Sequence, residues 1–251
     1  MTAMTEHADQ PKRKSFFERA TDLFAAPTEL FDNIRDTPPT HSTWVIPLLI
    51  FCLAAVGMYF FLLTNDAIVG QIQGIMDKQF EQALAEGRMT QAQADQAAQF
   101  MNPSSPWPKL IQSVSVVLLS AAMLFVMALL YWLVGKFVMK GNAPYMKVVE
   151  VVGIVLLVGA LGKVVGGMMS YASSSIFADA SLAFFVSEFD PENKVHVFLS
   201  ACNVFTFWSL GLVALGLARL FRRDFPKVLV LVLALWALFA LLALLTGIRL
   251  S

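Results

Sequence analysis

The sequence predicts an all-α, polytopic helical membrane protein with five transmembrane helices, short cytoplasmic amphipathic helices and an outer helical hairpin. Three observations carry this. Hydrophobic residues make up 57% of the 251 and charged residues 14%, against about 45–50% and about 25% in an ordinary soluble domain, so the chain has too little polar surface to cover a water-facing globule. Residues 37–65, 110–135, 195–218 and 228–248 contain no Asp, Glu, Lys or Arg, and each is long enough for the roughly 20 apolar residues that a span needs. A fifth apolar stretch, 146–172, carries Glu150 at its start and Lys163 inside it. Helix follows because lipid leaves every backbone N–H and C=O to be satisfied within its own segment; the alternation of a barrel strand is absent.

Taken in order, residues 1–14 form a short polar tail expected to be disordered. Residues 15–43 hold two short amphipathic helices: Phe16, Phe17, Ala20, Leu23 and Phe24 fall on one face, and Leu30, Phe31 and Ile34 repeat the pattern after Pro27. They either pack on the ends of the spans or offer a partner-docking face, with Phe16, Leu23, Phe24 and Phe31 as its candidates. The membrane domain covers 44–248. Its first span, 44–64, begins at Trp44 with Pro47 in the first turn, where a missing N–H costs little. The outer segment 65–109 reads as a helical hairpin, broken at Gly87-Arg88, whose second helix opens on a Thr90/Gln93 capping pair; it is either a structural lid or a recognition element.

The second span, 110–135, ends on Tyr131-Trp132, an interfacial aromatic pair. The third, 146–172, follows Pro144. The fourth, 191–218, takes Asp190 as its cap, and the fifth, 226–248, opens on Pro226. Between the third and fourth, 173–190 carries Phe177, Phe184, Phe185 and Phe189 and is expected to skim the interface.

Lys and Arg placement sets the orientation. Twelve fall in the N-terminal segment and the loops after the second and fourth spans, where Lys147 is counted with the loop; five fall on the other side, and Lys163 lies within a span. This predicts a multi-pass protein of the cell (inner or plasma) membrane, N-terminus in the cytoplasm and C-terminus outside. No cleavable signal peptide is expected; the first span would itself be the insertion signal.

Composition excludes several function classes. Eighteen basic residues balance eighteen acidic ones, which leaves no basic excess for nucleic acid. Cys52 and Cys202 lie inside apolar runs, and His7, His41 and His196 are dispersed, so neither a disulfide framework nor a metal site is expected. No phosphate-cradling glycine loop, nucleophile elbow or paired intramembrane carboxylates occur. The expectation is a protein that is not an enzyme and holds no cofactor.

Intramembrane polar groups are the remaining functional candidates, since charge in lipid is costly. Glu150 lies about one turn into the third span, where it would reach cytoplasmic water. Lys163 is thirteen residues on, about 20 Å along the axis, too far to pair with it; it would snorkel outward, pair with Asp179 or Glu188, or serve transport. Asn203, in the fourth span, would need an interhelical hydrogen bond. Gly159, Gly162 and Gly166 are candidates for close helix packing, within the chain or between two copies, and whether the chain forms a homo-oligomer stays open.

Residues 21–36, with DLFAAPTELFDNIRD, resemble the pre-span signature of the prokaryotic Yip-domain family of five-span membrane proteins, relatives of the eukaryotic Ypt/Rab-interacting proteins. In the family an apolar pair, a proline and a Phe-centred amphipathic turn precede the first of five spans. Lys140-Gly-Asn-Ala-Pro-Tyr-Met-Lys-Val-Val-Glu is similar to the family's passage into its third span, and Asn203-Val-Phe-Thr-Phe-Trp208 through Gly216 to its fourth-span pattern. The resemblance covers about 16–248. It implies a five-span membrane fold; eukaryotic members are implicated in vesicle traffic and Rab binding, which is carried onto no residue of this chain. The long hairpin and Lys163 lie outside the pattern.

Two functional readings follow. One is a non-enzymatic membrane scaffold or membrane-organising protein, in contact with the lipid bilayer and an unidentified protein partner. The other is a small transporter or channel subunit using Lys163 and the Gly-rich face of the third span.

Overall fold

The computed structural model describes residues 12–100, 105–186, 189–190 and 192–246. Among them the structure is helical. Two short helices, α1 (Phe16–Ala25) and α2 (Pro27–Asp36), precede α3 (Ser42–Leu62). Then come α4 (Asp66–Ala85), α5 (Gln91–Phe100), α6 (Pro106–Leu133), α7 (Tyr145–Ala172), α8 (Lys194–Ala201), α9 (Val204–Phe221) and α10 (Phe225–Thr246). A π turn, Val134–Val138, ends α6. The one extended pairing among the described residues is a single antiparallel bridge between Ser181 and Asn203.

Five of these helices are long and apolar enough to cross a membrane: Ser42–Leu62, Pro106–Val138, Tyr145–Ala172, Val204–Phe221 and Phe225–Leu244. Half of the apolar window of the third and fourth is buried, against 11% in the first two, so α7 and α9 are the most buried of the five. Leu53, Leu118 and Leu119 remain 74%, 65% and 64% exposed. An apolar surface of that extent belongs against lipid rather than water.

The fourth span differs from its sequence expectation. Residues 191–218 do not form one helix: α8 stops at Ala201, and α9 starts at Val204. Asn203 is the reason. Its Oδ1 accepts from the Phe205 amide at 2.9 Å, the competition for backbone donors that makes Asn a helix starter rather than a mid-helix residue. The expected cap also moves: Asn193, not Asp190, caps α8, accepting from the Val195 amide, while Asp190 Oδ1 accepts from the Glu192 amide.

The described residues form two compact units. The first comprises those up to Pro47 together with 124–157 and 209–235; the second, those described within 48–123 and 158–208 and from Trp236 on. In the first unit, Leu23, Leu30, Phe31 and Ile34 are each no more than 1% exposed, as are Val148, Val151, Ile154 and Leu217, and Phe31 and Val151 meet at Gly216. Gly216 permits this packing. A Cβ there would lie 2.4 Å from Val151 Cγ1 and 2.9 Å from Phe31 Cε1. The helices that begin the chain are therefore part of the fold, not an appendage. Lys12 and Lys14 join them: Asn33 Nδ2 donates to the Lys12 carbonyl, and Lys14 Nζ pairs with Asp22 at 2.6 Å. The expected disordered tail thus stops short of Lys12; residues 1–11 lie outside the described residues.

In the second unit, Asn65 caps α4 through the amides of Ala67 and Ile68. Its Nδ2 also donates to the Tyr171 carbonyl at 3.3 Å. Gln71 bonds the Ser174 carbonyl and the Ile176 amide, which fixes the start of the hairpin on the end of α7. Thr90 and Gln93 form the capping pair expected from their spacing, at 2.9 Å and 3.4 Å.

Candidate functional site

The first unit contains a buried charge cluster built from three parts of the chain. Pro38 and Pro39 have no N–H, so the Thr40 amide is the first donor after them, and it donates to Glu150 Oε1 at 2.8 Å. Glu150 Oε2 is 2.9 Å from Lys147 Nζ, one helical turn back on α7. Lys147 donates in turn to the Ile34 carbonyl. That carbonyl belongs to the last turn of α2, where helix carbonyls lack intrahelical partners and a cation is favoured by the helix dipole. Arg19 of α1 donates through Nη1 to Thr43 Oγ1 at the start of α3.

All four side chains are shielded: Arg19 is 2% exposed, Lys147 4%, Glu150 2% and Thr43 0%. Lys147 pairs with the carboxylate, and Arg19 is attracted to it without contact. Burial pushes the Arg19 guanidinium below its ordinary pKa, and attraction to Glu150 opposes the shift. Arg19 Nε and Trp44 Nε1 are buried without a hydrogen-bond partner among the described residues. The expectation that Glu150 reaches water is therefore corrected: the descending chain and α1 cover it. Lys147 likewise belongs to the helix, not to the loop. The i, i+3 spacing of Lys147 and Glu150 was the available signal, since that spacing puts both on one face.

A second clamp lies at the rim. Asp32 of α2 takes Arg219 of α9 through both carboxylate oxygens, with Nε at 2.8 Å. It also pairs with Arg35 at 2.7 Å. Bidentate geometry makes these strong, directional contacts. Arg35 also grips Asp36 through two hydrogen bonds, at 2.7 Å and 2.8 Å, which hold the Asp36 carboxyl below its ordinary pKa.

These clamps sort the four residues of the expected docking face. Leu23 and Phe31 are each 1% exposed and serve as packing inside the chain. Phe16 is half-buried, with its ring edge-on to Phe17. Phe24 is 47% exposed, and Phe17, which the expected set omits, is 80% exposed.

The remaining candidates lie in the second unit. Lys163 is exposed on α7, and no ion pair to it occurs among the described residues. Asp179, one of its two expected partners, instead accepts from Asn203 Nδ2 at 3.1 Å and from the Ser181 amide at 3.2 Å. Glu188, the other, lies outside the described residues. Asn203 thus bonds a loop carboxylate, not a neighbouring span. Gly159 faces the Phe51 ring and Gly162 the Phe205 Cβ, where an added Cβ would sit 3.2 Å and 2.9 Å away; Gly166 has only Asp179 Cβ at 3.7 Å. Cys52 and Cys202 are free thiols. Among the described residues no group of His, Cys, Asp and Glu is arranged to hold a metal ion.

A family model described as Yip1 domain matches residues 21–246. No curated protein and no solved structure is similar to the chain at a significant level.

Proposed function

The chain belongs to the Yip1-domain family, and from that premise we propose that it is a non-enzymatic membrane scaffold that binds a protein partner through the outward face of α1 and α2. It is a multi-pass membrane protein by its five apolar helices. One observation supports the partner reading above the rest: the helix pair is held by buried charge, yet it leaves Phe17 80% exposed. A large aromatic on a fixed surface binds at low entropic cost, because the groups around it are already ordered. Arg19, Lys147, Glu150, Asp32 and Arg219 are positioning residues; Phe17 and Phe24 are the contact residues. The Lys/Arg distribution supports a cytoplasmic setting for this face.

The test is a photo-crosslinkable amino acid at position 17, activated in intact native membranes. A discrete adduct with another protein is expected at position 17 and none at position 23, which faces the core. Adducts with lipid alone at position 17 would make the helices membrane anchors and overturn the reading.

A further inference from the structure

We propose that the cavity between the end of α6, the end of α9 and the start of α10 binds the headgroup of an anionic phospholipid, whose acyl chain lies against the apolar face of α10. The cavity measures about 380 Å³, and its wall carries Lys140, Arg222, Arg223 and Lys227 against a single acid, Asp224. The acid is already matched: Lys227 Nζ pairs with it at 2.6 Å. Arg223 is anchored by donation to the Met139 carbonyl. Lys140 and Arg222 make no side-chain hydrogen bond or ion pair among the described residues; Arg222 is attracted to Asp36 from a distance, and neither cation is held in contact with an acid.

The backbone around them is specialised. Lys140 and Arg222 follow helical segments and take left-handed φ values of 51° and 53°. Glycine or asparagine usually fills such positions, because a Cβ is disfavoured there. Bases near helix C-termini also complement the helix dipole. That complement needs no cavity, however, and no apolar helix face beside it.

The apolar helix face beside the bases suits an amphipathic ligand. An open apolar face of α10 adjoins the cavity and shares Lys227 and Leu231 with it; Pro226 and Val230 complete that face. Val230 is 65% exposed, and across the basic cavity Val138 is 59% exposed. In a helix of membrane-spanning length these apolar side chains meet acyl chains. A phosphate against the bases and a hydrocarbon tail against α10 satisfy both halves at once. Basic pockets between membrane helices take anionic headgroups for this reason. A soluble phosphate would fill only the first.

The test is native mass spectrometry of the purified full chain offered phosphatidylglycerol and phosphatidylcholine in equal amounts. Phosphatidylglycerol adducts should predominate, and Lys140→Gln with Arg222→Gln should reduce them by roughly 30-fold. Lys78→Gln with Arg88→Gln removes the same charge from the hairpin and should change nothing. Lys140→Gln alone repeats the comparison if the double variant unfolds. Glycerol phosphate in excess should not displace the lipid. Equal losses from both charge-removing pairs, effective displacement by glycerol phosphate, or no preference for phosphatidylglycerol would each overturn the proposal.

Discussion

Lys147 and Glu150 sit one turn apart on α7 with nitrogen and oxygen 2.9 Å from each other, and both are buried. The pair is not closed on itself. The lysine also holds α2 through the Ile34 carbonyl, and the glutamate holds the chain after the two prolines through the Thr40 amide. Two side chains of one span thus fix the helix that precedes the membrane domain and the segment leading into the first span.

Glu150→Gln keeps the hydrogen-bonding shape but leaves two buried cations without their carboxylate. Breaking a buried pair in this way costs about 3–5 kcal/mol. A thermal scan in detergent should show a large fall in melting temperature. Lys147→Met combined with Glu150→Leu removes the pair together and should cost less than Glu150→Gln alone. A larger loss in the double variant would show that the pair itself, and not the stranded charge, dominates.

Gly216→Val should destabilise the fold by about 1–3 kcal/mol through overpacking, since its Cβ would meet Val151 at 2.4 Å. Gly166→Ala has only a 3.7 Å contact to satisfy, and alanine is the better helix former by up to about 1 kcal/mol. Its melting temperature should hold or rise. The two variants measured together separate a close-packed glycine from a permissive one.

Low pH should loosen α1 and α2. The Ser15 amide and hydroxyl hold Glu18 below its ordinary pKa, and Arg35 does the same for Asp36. A carboxylate whose folded pKa is depressed stabilises the fold above its unfolded value and ceases to do so as pH falls through the folded value. Both groups are well solvated, so the effect is small. A nitroxide on Phe17→Cys should gain mobility as pH drops below about 4 and stay unchanged between about pH 6 and about pH 8, where both carboxylates remain ionised. Mobility rising toward alkaline pH would contradict this assignment.

Lys163→Met separates the scaffold from the transporter. A lysine near the bilayer centre carries a penalty of about 2.5–3.5 kcal/mol on insertion scales, less if it snorkels. With no ion pair to lose among the described residues, the variant should fold with equal or greater stability. A folded Lys163→Met protein that loses a solute flux measurable in the parent would favour the transporter.

The spans were legible because charge-free runs of the right length leave one backbone solution. The Thr90/Gln93 cap was legible because its donors and acceptors lie three residues apart. Sequence spacing did not disclose the break at Cys202–Asn203, since apolar residues flank it on both sides and hydropathy cannot distinguish one helix from two. The charge cluster was harder still. Arg19, Thr40 and Glu150 meet across more than a hundred residues, and Arg19 reads as part of a solvated helix face until the chain folds over it. Leu23 and Phe31 share the same ambiguity: an apolar stripe indicates that something covers it, but not whether that is the chain or a partner.

Hydrogen exchange of the chain in lipid nanodiscs bears most directly on whether α1 and α2 form a fixed surface. Amides of α2 around Leu30–Ile34 should be protected to nearly the degree of the α7 segment around Val148–Ile154, because both lie in one core. Exchange of α1 and α2 within seconds, while α7 stays protected, would show a loose arm and contradict the scaffold at its foundation.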